Sequence, residues 1–156
     1  MYLAKLGDFE LLRALFQQIA IPQAVFQEVV IAGSRYPVAH EVAAAQREWI
    51  HVNKVNDVQH VEVLLGSGLD AGESEALVLS RQLSAEALLL DDSDAVRIAA
   101  NMSVNVLRTP GVFRLAKERH LIPAIRPKLD ALRSAGFWLR EDHYRIILEN
   151  AGETAE

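Results

Sequence analysis

Five carboxylates gather at the two ends of one predicted helix–strand unit in the middle of the chain. They fall within 22 residues of one another, and they are Glu73, Glu75, Asp91, Asp92 and Asp94. Like charges held this close repel one another, so a fold that gathers them at one strand edge needs a cation to offset the cost. The chemistry that this pattern favours is the binding of a divalent metal ion by carboxylate oxygens.

Each of these acids also has a structural explanation. Asp70 followed by Glu73 has the spacing of a capping box, in which an N-cap side chain and an N3 glutamate satisfy backbone donors at a helix start. Asp91 or Asp92 can cap the next predicted helix, where the positive end of the helix dipole favours an anion. Glu28 lies among apolar valines on a short predicted helix and can equally be a solvent-facing residue. The sequence leaves caps and metal ligands open as alternatives.

Other reactive groups are absent from the sequence or lack the spacing that their chemistry needs. The chain has no cysteine, which excludes disulfides, thiolate nucleophiles and cysteine-bound metals. Its five histidines show no H-x-x-x-H spacing, and no G-x-S-x-G elbow or phosphate-binding glycine loop is present. Any metal must therefore be held by oxygen or imidazole.

The elements that position these acids alternate between helix and strand. Three consecutive leucines in EALLLDD (86–92) predict a strand buried on both faces, as in a parallel sheet. The alternation predicts an α/β fold with a mostly parallel sheet, and ligands of such sheets lie beyond the carboxyl ends of the strands, where Asp91 and Asp92 fall. The predicted strands are 18–21, 51–55, 86–92, 104–108 and 137–139, and the main predicted helices are about 38–49, 72–83, 94–101 and 123–135.

Length and charge suggest one domain with an uneven charge distribution. The 156 residues predict a single domain over 1–150 with a tail over 151–156, and no apolar stretch or signal peptide indicates a membrane or secreted protein, so we expect a cytoplasmic one. Residues 1–96 carry six Lys/Arg against fourteen Asp/Glu, whereas residues 97–140 carry nine against two. A basic segment beside an acidic one suggests a polyanion held by one and a cation held by the other.

Several segments resemble one known family in the same order. They are IPQAVFQEV, LDAGESEALVLS, LLLDDSDAVRIA, VNVLRTPGVFRLAKERHLI and LRSAGFWL. Together they resemble a PIN-domain protein, in particular the small prokaryotic branch related to VapC-type toxins, from about Tyr2 to about Leu148. The resemblance implies a three-layer α/β/α fold. It also implies a ribonuclease site of three or four acids that binds Mg²⁺ or Mn²⁺.

The resemblance assigns roles to individual residues. Glu28 matches the acid on the second helix, Glu73 matches the acid that opens the fourth helix, and Asp91 and Asp92 compete for the acid after the following strand. Glu75 is the substitute for Glu73, and Asp94 is an outside candidate. The residues expected to follow the backbone of single-stranded RNA are basic and lie downstream: Arg97, Arg108, Arg114 and Lys117.

One part of the family pattern has no counterpart in the sequence. The family begins with a strand ending in an acid, whereas this sequence opens at Met1 with YLAKLGDFELL, which resembles the family's first helix, after that strand. The resemblance therefore predicts a sheet without its first strand and a site without its first acid. Unpaired strands beside an apolar stripe of Leu11, Leu12, Leu15 and Phe16 predict a homodimer, and an antitoxin protein is a further expected partner.

Overall fold

The computed structural model describes residues 2–46 and 48–154. They divide into two compact units: a sheet unit, the described part of 18–107, and a helical unit, the described parts of 1–17 and 108–156. In chain order the elements are α1 (Tyr2–Lys5), α2 (Glu10–Phe16), β1 (Ile19–Pro22), α3 (Gln23–Phe26) with its π-helical continuation Gln27–Ala32, α4 (Pro37–Ala45), β2 (Ile50–Asn53), α5 (Val58–Gly66), α6 (Ala71–Gln82), β3 (Leu88–Leu89), α7 (Ser93–Asn101), β4 (Val106–Leu107), α8 (Thr109–Glu118), α9 (Arg126–Ser134) and α10 (Glu141–Asn150).

β1 and β2 form the first of two small parallel sheets in the sheet unit. Ile19 lies opposite Ile50, and Pro22 lies opposite Asn53. Pro22 ends β1 and serves in an extended conformation as the N-cap of α3, and the helix begins at Gln23. The strand therefore passes directly into the helix that carries Glu28.

α6 is the central helix of the sheet unit. It contacts α3, α5, β1 and β3, and Leu77, Val78 and Leu79 are all buried because neighbours cover more than one side of the helix. The second parallel pair, β3 with β4, joins the same apolar core through Leu90 and the alanines of α7. This core fixes the position of the α6 N-terminus, where the predicted capping box lies.

The helical unit is built on α1, α2, α8, α9 and α10. α2 packs against α8, and Leu12 and Leu15 are buried, Leu11 is half-buried and Phe16 is 36% exposed. The apolar stripe of α2 is therefore largely covered within the chain and does not supply the open surface on which the homodimer was predicted. No helix in the described ranges is long and apolar enough to cross a membrane.

The predicted α/β class with parallel strand pairing is confirmed, but several predictions differ from the structure. The strand predicted over 86–92 covers only Leu88–Leu89, and both residues are half-buried rather than covered on both faces. The segment 137–139 is neither strand nor helix: Phe137 is buried and packs edge-on against the Tyr2 ring at 5.2 Å, whereas Trp138 is 76% exposed. Among the described residues the helical unit has no strand with which this segment could pair. The four described strands also form two separate pairs rather than one sheet.

Candidate acidic site

The N-terminus of α6 carries the predicted capping box. The Glu73 N–H donates to Asp70 Oδ1 at 2.7 Å, and the Asp70 N–H donates to Glu73 Oε2 at 3.2 Å. Two helix-start donors are thereby satisfied by two side chains. Each bond engages one carboxylate oxygen, so the second oxygen of each acid can take another ligand.

Asp92 is the N-cap of α7. Its Oδ1 accepts hydrogen bonds from the N–H groups of Asp94 and Ala95, both at 2.9 Å. The alternative between Asp91 and Asp92 as the cap is thus decided in favour of Asp92. Asp91 is half-buried and lies between the end of β3 and this cap.

Glu28 lies on the π-helical continuation of α3, at the point where this helix crosses the start of α6. Gly72 makes the crossing possible, because a Cβ at Gly72 would lie 3.2 Å from Glu28 Oε2 and 3.4 Å from Asp70 Oδ1. By the sum of these distances, the two carboxylate oxygens are within about 6.6 Å of each other. The structure therefore brings Glu28 to the capping box, although 44 positions separate Glu28 from Gly72.

The electrostatics of Glu73 show which acids interact at this corner. Burial is the largest cause that raises the pKa of Glu73, and the hydrogen bond from the Asp70 N–H acts in the opposite direction. The negative charges of Asp70, Asp92 and Glu28 raise this pKa further. The fold thus places Glu28, Asp70 and Asp92 within electrostatic range of Glu73. We call Glu28, Asp70, Glu73 and Asp92 the acidic site.

The two substitute candidates have other contacts. Glu75 Oε2 accepts a hydrogen bond of 2.9 Å from the Ala24 N–H. Asp94 forms an exposed ion pair with Arg97, one turn further along α7, at 3.1 Å. Asp70, in contrast, was predicted from the sequence only as a cap. The signal that could have placed it in the site is its position beside Glu73, since the residue that caps a helix lies at the same corner as the acids of its first turn.

The four predicted RNA-binding residues have different environments. Arg97 belongs to the sheet unit, and the other three belong to the helical unit. Arg114 is exposed and pairs with Glu118 one turn away, whereas Lys117 is partly buried and donates to both Glu153 and the Ala151 carbonyl. The Arg108 guanidinium lies 5.1 Å from the centre of the Phe137 ring.

The acidic site fits a metal ion by the type of its donors. Its ligands are carboxylate oxygens, which Mg²⁺ and Mn²⁺ prefer, and two of them converge at the side-chain-free surface of Gly72. Within the described ranges, however, no three acidic or histidine side chains are close enough to share one ion. The arrangement therefore suits an ion that keeps several waters and contacts one or two carboxylates directly, as Mg²⁺ commonly does.

Comparison with known proteins identifies the family. A family model described as a PIN domain matches residues 1–153. No curated protein and no solved structure matches the chain. The match spans both units, including every acid of the site, and it agrees with the parallel strands and with a nuclease-type fold. The chain belongs to the PIN-domain family.

Proposed function

We propose that this PIN domain is a metal-dependent endoribonuclease of the VapC-type branch, the toxin of a toxin–antitoxin pair, acting on single-stranded RNA. The observation that carries this proposal is the acidic site: Glu28 Oε2 and Asp70 Oδ1 both lie beside Gly72 at the start of α6, where burial and the charges of Glu28, Asp70 and Asp92 raise the pKa of Glu73. A structural role explains Asp70 and Asp92 as caps, but it does not explain why Glu28 is brought to the same corner. A divalent cation that contacts one or two of these carboxylates directly and the others through its waters would account for the group.

In this proposal the acids hold the metal and the RNA phosphate supplies further oxygens. Glu28, Glu73 and Asp92, with Asp91 as the neighbouring candidate, would bind the ion directly or hold its waters. When bound, Mg²⁺ or Mn²⁺ would polarise the scissile phosphate and lower the pKa of an attacking water. The backbone hydrogen bonds of Asp70, Glu73 and Asp92 fix the orientation of these carboxylates. None of the acids needs to act as a nucleophile.

The proposed RNA contacts rest on exposed arginines. The side chains of Arg97 and Arg114 are 68% and 46% exposed, and each pairs with an exposed acid one turn away. Such pairs contribute little stability, so exchanging the acid for an RNA phosphate costs little. Lys117 is held by Glu153 and is therefore a weaker candidate than the sequence suggested. Phosphate contacts of this kind provide affinity without sequence preference.

The sheet edges support a further strand in the active protein. In a parallel ladder, alternate residues direct their backbone N–H and C=O groups to opposite edges of the strand. The backbone groups of Ala20 point away from β2, and those of Leu89 point away from β4. β1 and β3 both contact α6. We propose that one more parallel strand lies between β1 and β3, joins the two strand pairs and brings the first acid to the site.

Activity measurements on single-stranded RNA with Mn²⁺ test the proposal. The proteins are the unextended chain, the chain extended by a strand ending in Asp-Thr-Ser, and the extended chain with Glu28→Gln or Asp92→Asn. We expect very low activity without the extension, and at least about 100-fold loss in each variant, because a displaced ligand loosens the reacting geometry. Glu62→Ala in the extended chain is the matched control, since it removes an exposed acid of α5 that is not one of the four residues of the acidic site.

A second function is favoured by one observation. Because no three ligand side chains group together in the part of the chain that the structure describes, a catalytically silent PIN-like module that binds RNA or a protein partner is the alternative. Inactivity of every form, with RNA binding intact, would decide for it. We also propose that the chain without this further strand forms a homodimer through the strand edges that the further strand would cover. Sedimentation equilibrium that shows a monomer of 17.3 kDa would contradict this.

A further inference from the structure

The carboxylate of Glu75 connects two helices of the sheet unit. Glu75 lies on α6, and its Oε2 accepts a 2.9 Å hydrogen bond from the N–H of Ala24, the second residue of α3. This N–H is one of the helix-start donors that have no partner inside their own helix. A charged acceptor makes a stronger bond than a neutral one, and the start of a helix favours negative charge. Glu75 thus caps α3 from another helix.

A second contact between the same helices lies one turn further along α3. A Cβ at Gly72 would lie 3.2 Å from Val25 Cγ2 and 3.2 Å from Glu28 Oε2, so α3 approaches α6 closely at this glycine. Ala24 and Glu28 are four residues apart and lie on the same face of the helix. The bond at Ala24 and the Glu28 side chain therefore both lie on the side of this helix that meets α6.

We infer that Glu75 is a positioning residue: it holds α3 on α6 so that Glu28 reaches the acidic site, and it does not bind the metal itself. The inference rests on the function proposed above for that site. The half-buried Glu75 side chain is directed at the Ala24 N–H at the start of α3, whereas Glu28 is exposed at the groove lined by Gln27, Ile31, Asp70 and Ala71. Glu75 and Glu28, which both lie where α3 meets α6, therefore have separate roles: Glu75 holds the two helices together, and Glu28 faces the groove.

Replacing Glu75 by glutamine separates positioning from ligation. A glutamine keeps an oxygen that can accept from the Ala24 N–H, but it is a poor metal ligand, whereas alanine removes both properties. We expect Glu75→Gln to bind Mn²⁺ nearly as well as the unchanged chain, and Glu75→Ala to bind it about 10-fold or more weakly, as for other residues that orient metal ligands. Glu62→Ala, which removes an exposed charge on α5, is the control and should match the glutamine variant.

Nuclear Overhauser effects between the Val25 methyl groups and the Gly72 α-protons measure the helix contact without metal. We expect these effects in the unchanged chain and in Glu75→Gln, and their loss in Glu75→Ala. Glu75→Asp, which shortens the side chain by one methylene, replaces the alanine variant if that variant does not fold. It should also lose them.

Two results would overturn the inference. If Glu75→Gln loses as much Mn²⁺ affinity as Glu75→Ala while keeping the helix contact, Glu75 is a ligand. If Glu75→Ala keeps both the contact and the affinity, Glu75 positions nothing. If the unchanged chain binds no Mn²⁺, the proposed function fails, and the helix contact alone then decides: its retention in Glu75→Ala contradicts the positioning role, and its loss supports it.

Discussion

The carboxylates of the two units are arranged in opposite ways. Residues 18–107 contain twelve Asp/Glu and five Lys/Arg, whereas the remaining residues contain nine and eleven. In the helical unit, Asp8 accepts a hydrogen bond from Lys128 and Glu153 accepts one from Lys117. In the sheet unit, Glu73 instead has Asp70, Asp92 and Glu28 as its charged neighbours. The helical unit thus holds these two acids against cations, whereas the sheet unit places acids near Glu73, although its Asp94 pairs with Arg97.

The two arrangements shift carboxyl pKa values in opposite directions. Burial alone would raise the pKa of Glu153, but hydrogen bonds from Lys117, Ile125 and Arg126 outweigh it and lower this pKa. At Glu73 burial and like charges act together, and the pKa is raised. A paired acid stabilises the folded chain at neutral pH, whereas a crowded acid destabilises it until a cation binds. The helical unit therefore uses carboxylates for stability, and the sheet unit retains them at a cost, as a binding site does.

The largest expected effect on stability comes from breaking a pair in the helical unit. Glu153→Ala removes the acceptor of Lys117 and of two backbone N–H groups, and both side chains of the pair are mostly buried. We expect a loss of about 2–3 kcal/mol in the free energy of unfolding, measured by urea denaturation. Glu118→Ala, which breaks the exposed pair with Arg114, is the control and should cost less than about 1 kcal/mol. Equal losses of unfolding free energy in both variants would show that Glu153 stabilises the fold no more than an exposed acid does.

The next effect is stabilisation of the sheet unit by metal. Millimolar Mn²⁺ should raise the free energy of unfolding by a fraction of a kcal/mol to about 2 kcal/mol, because the ion binds the folded acids and offsets their repulsion. Thermal melts with and without metal measure it. Asp91→Asn/Asp92→Asn should abolish the shift, while Glu118→Ala should keep it. Identical shifts in all three proteins would show that the ion binds elsewhere.

We expect a smaller effect on stability from removing the negative charge of Glu73. Glu73→Gln keeps an oxygen that can accept from the Asp70 N–H but removes the charge that three acids repel. Without metal at pH 7 we expect its melting temperature to rise by about 1 °C. Glu153→Gln, which removes the charge that pairs with Lys117, should lower the melting temperature. A fall in both variants would show that Glu73 is not destabilised by its neighbours.

The pH dependence should differ in sign between these two acids. Because the folded-state pKa of Glu153 is lowered, its contribution is present above its ordinary pKa of 4.5 and is lost as pH falls through the lowered value. Because the folded-state pKa of Glu73 is raised, its cost is present above the raised value and disappears as pH falls below 4.5. The difference in stability between Glu73→Gln and the unchanged chain should therefore vanish near pH 4, in melts over a pH series.

Some elements could be predicted closely from the sequence, and others could not. The capping box of Asp70 and Glu73 is confirmed because both partners lie within four residues of each other. Asp8 shows the limit of the same reasoning: its residue type and its place before α2 favour a cap, but Phe9 is the N-cap and Asp8 pairs with Lys128, which lies 120 positions away. A distant cation competes with a local backbone donor, and local spacing does not reveal that cation.

What the sequence by itself determined is the set of local features: helix caps, the apolar strand before Asp91, the absence of cysteine and the excess of acids in the central segment. These depend on neighbouring residues, whose backbone and side-chain preferences act over one or two turns. What only the tertiary structure decided is which acids meet. Glu28 reaches Asp70 because Gly72 lets two helices pack closely, and Glu75 turns to Ala24, 51 positions away. Such contacts depend on how the helices cross, and helix periodicity alone does not determine the crossing.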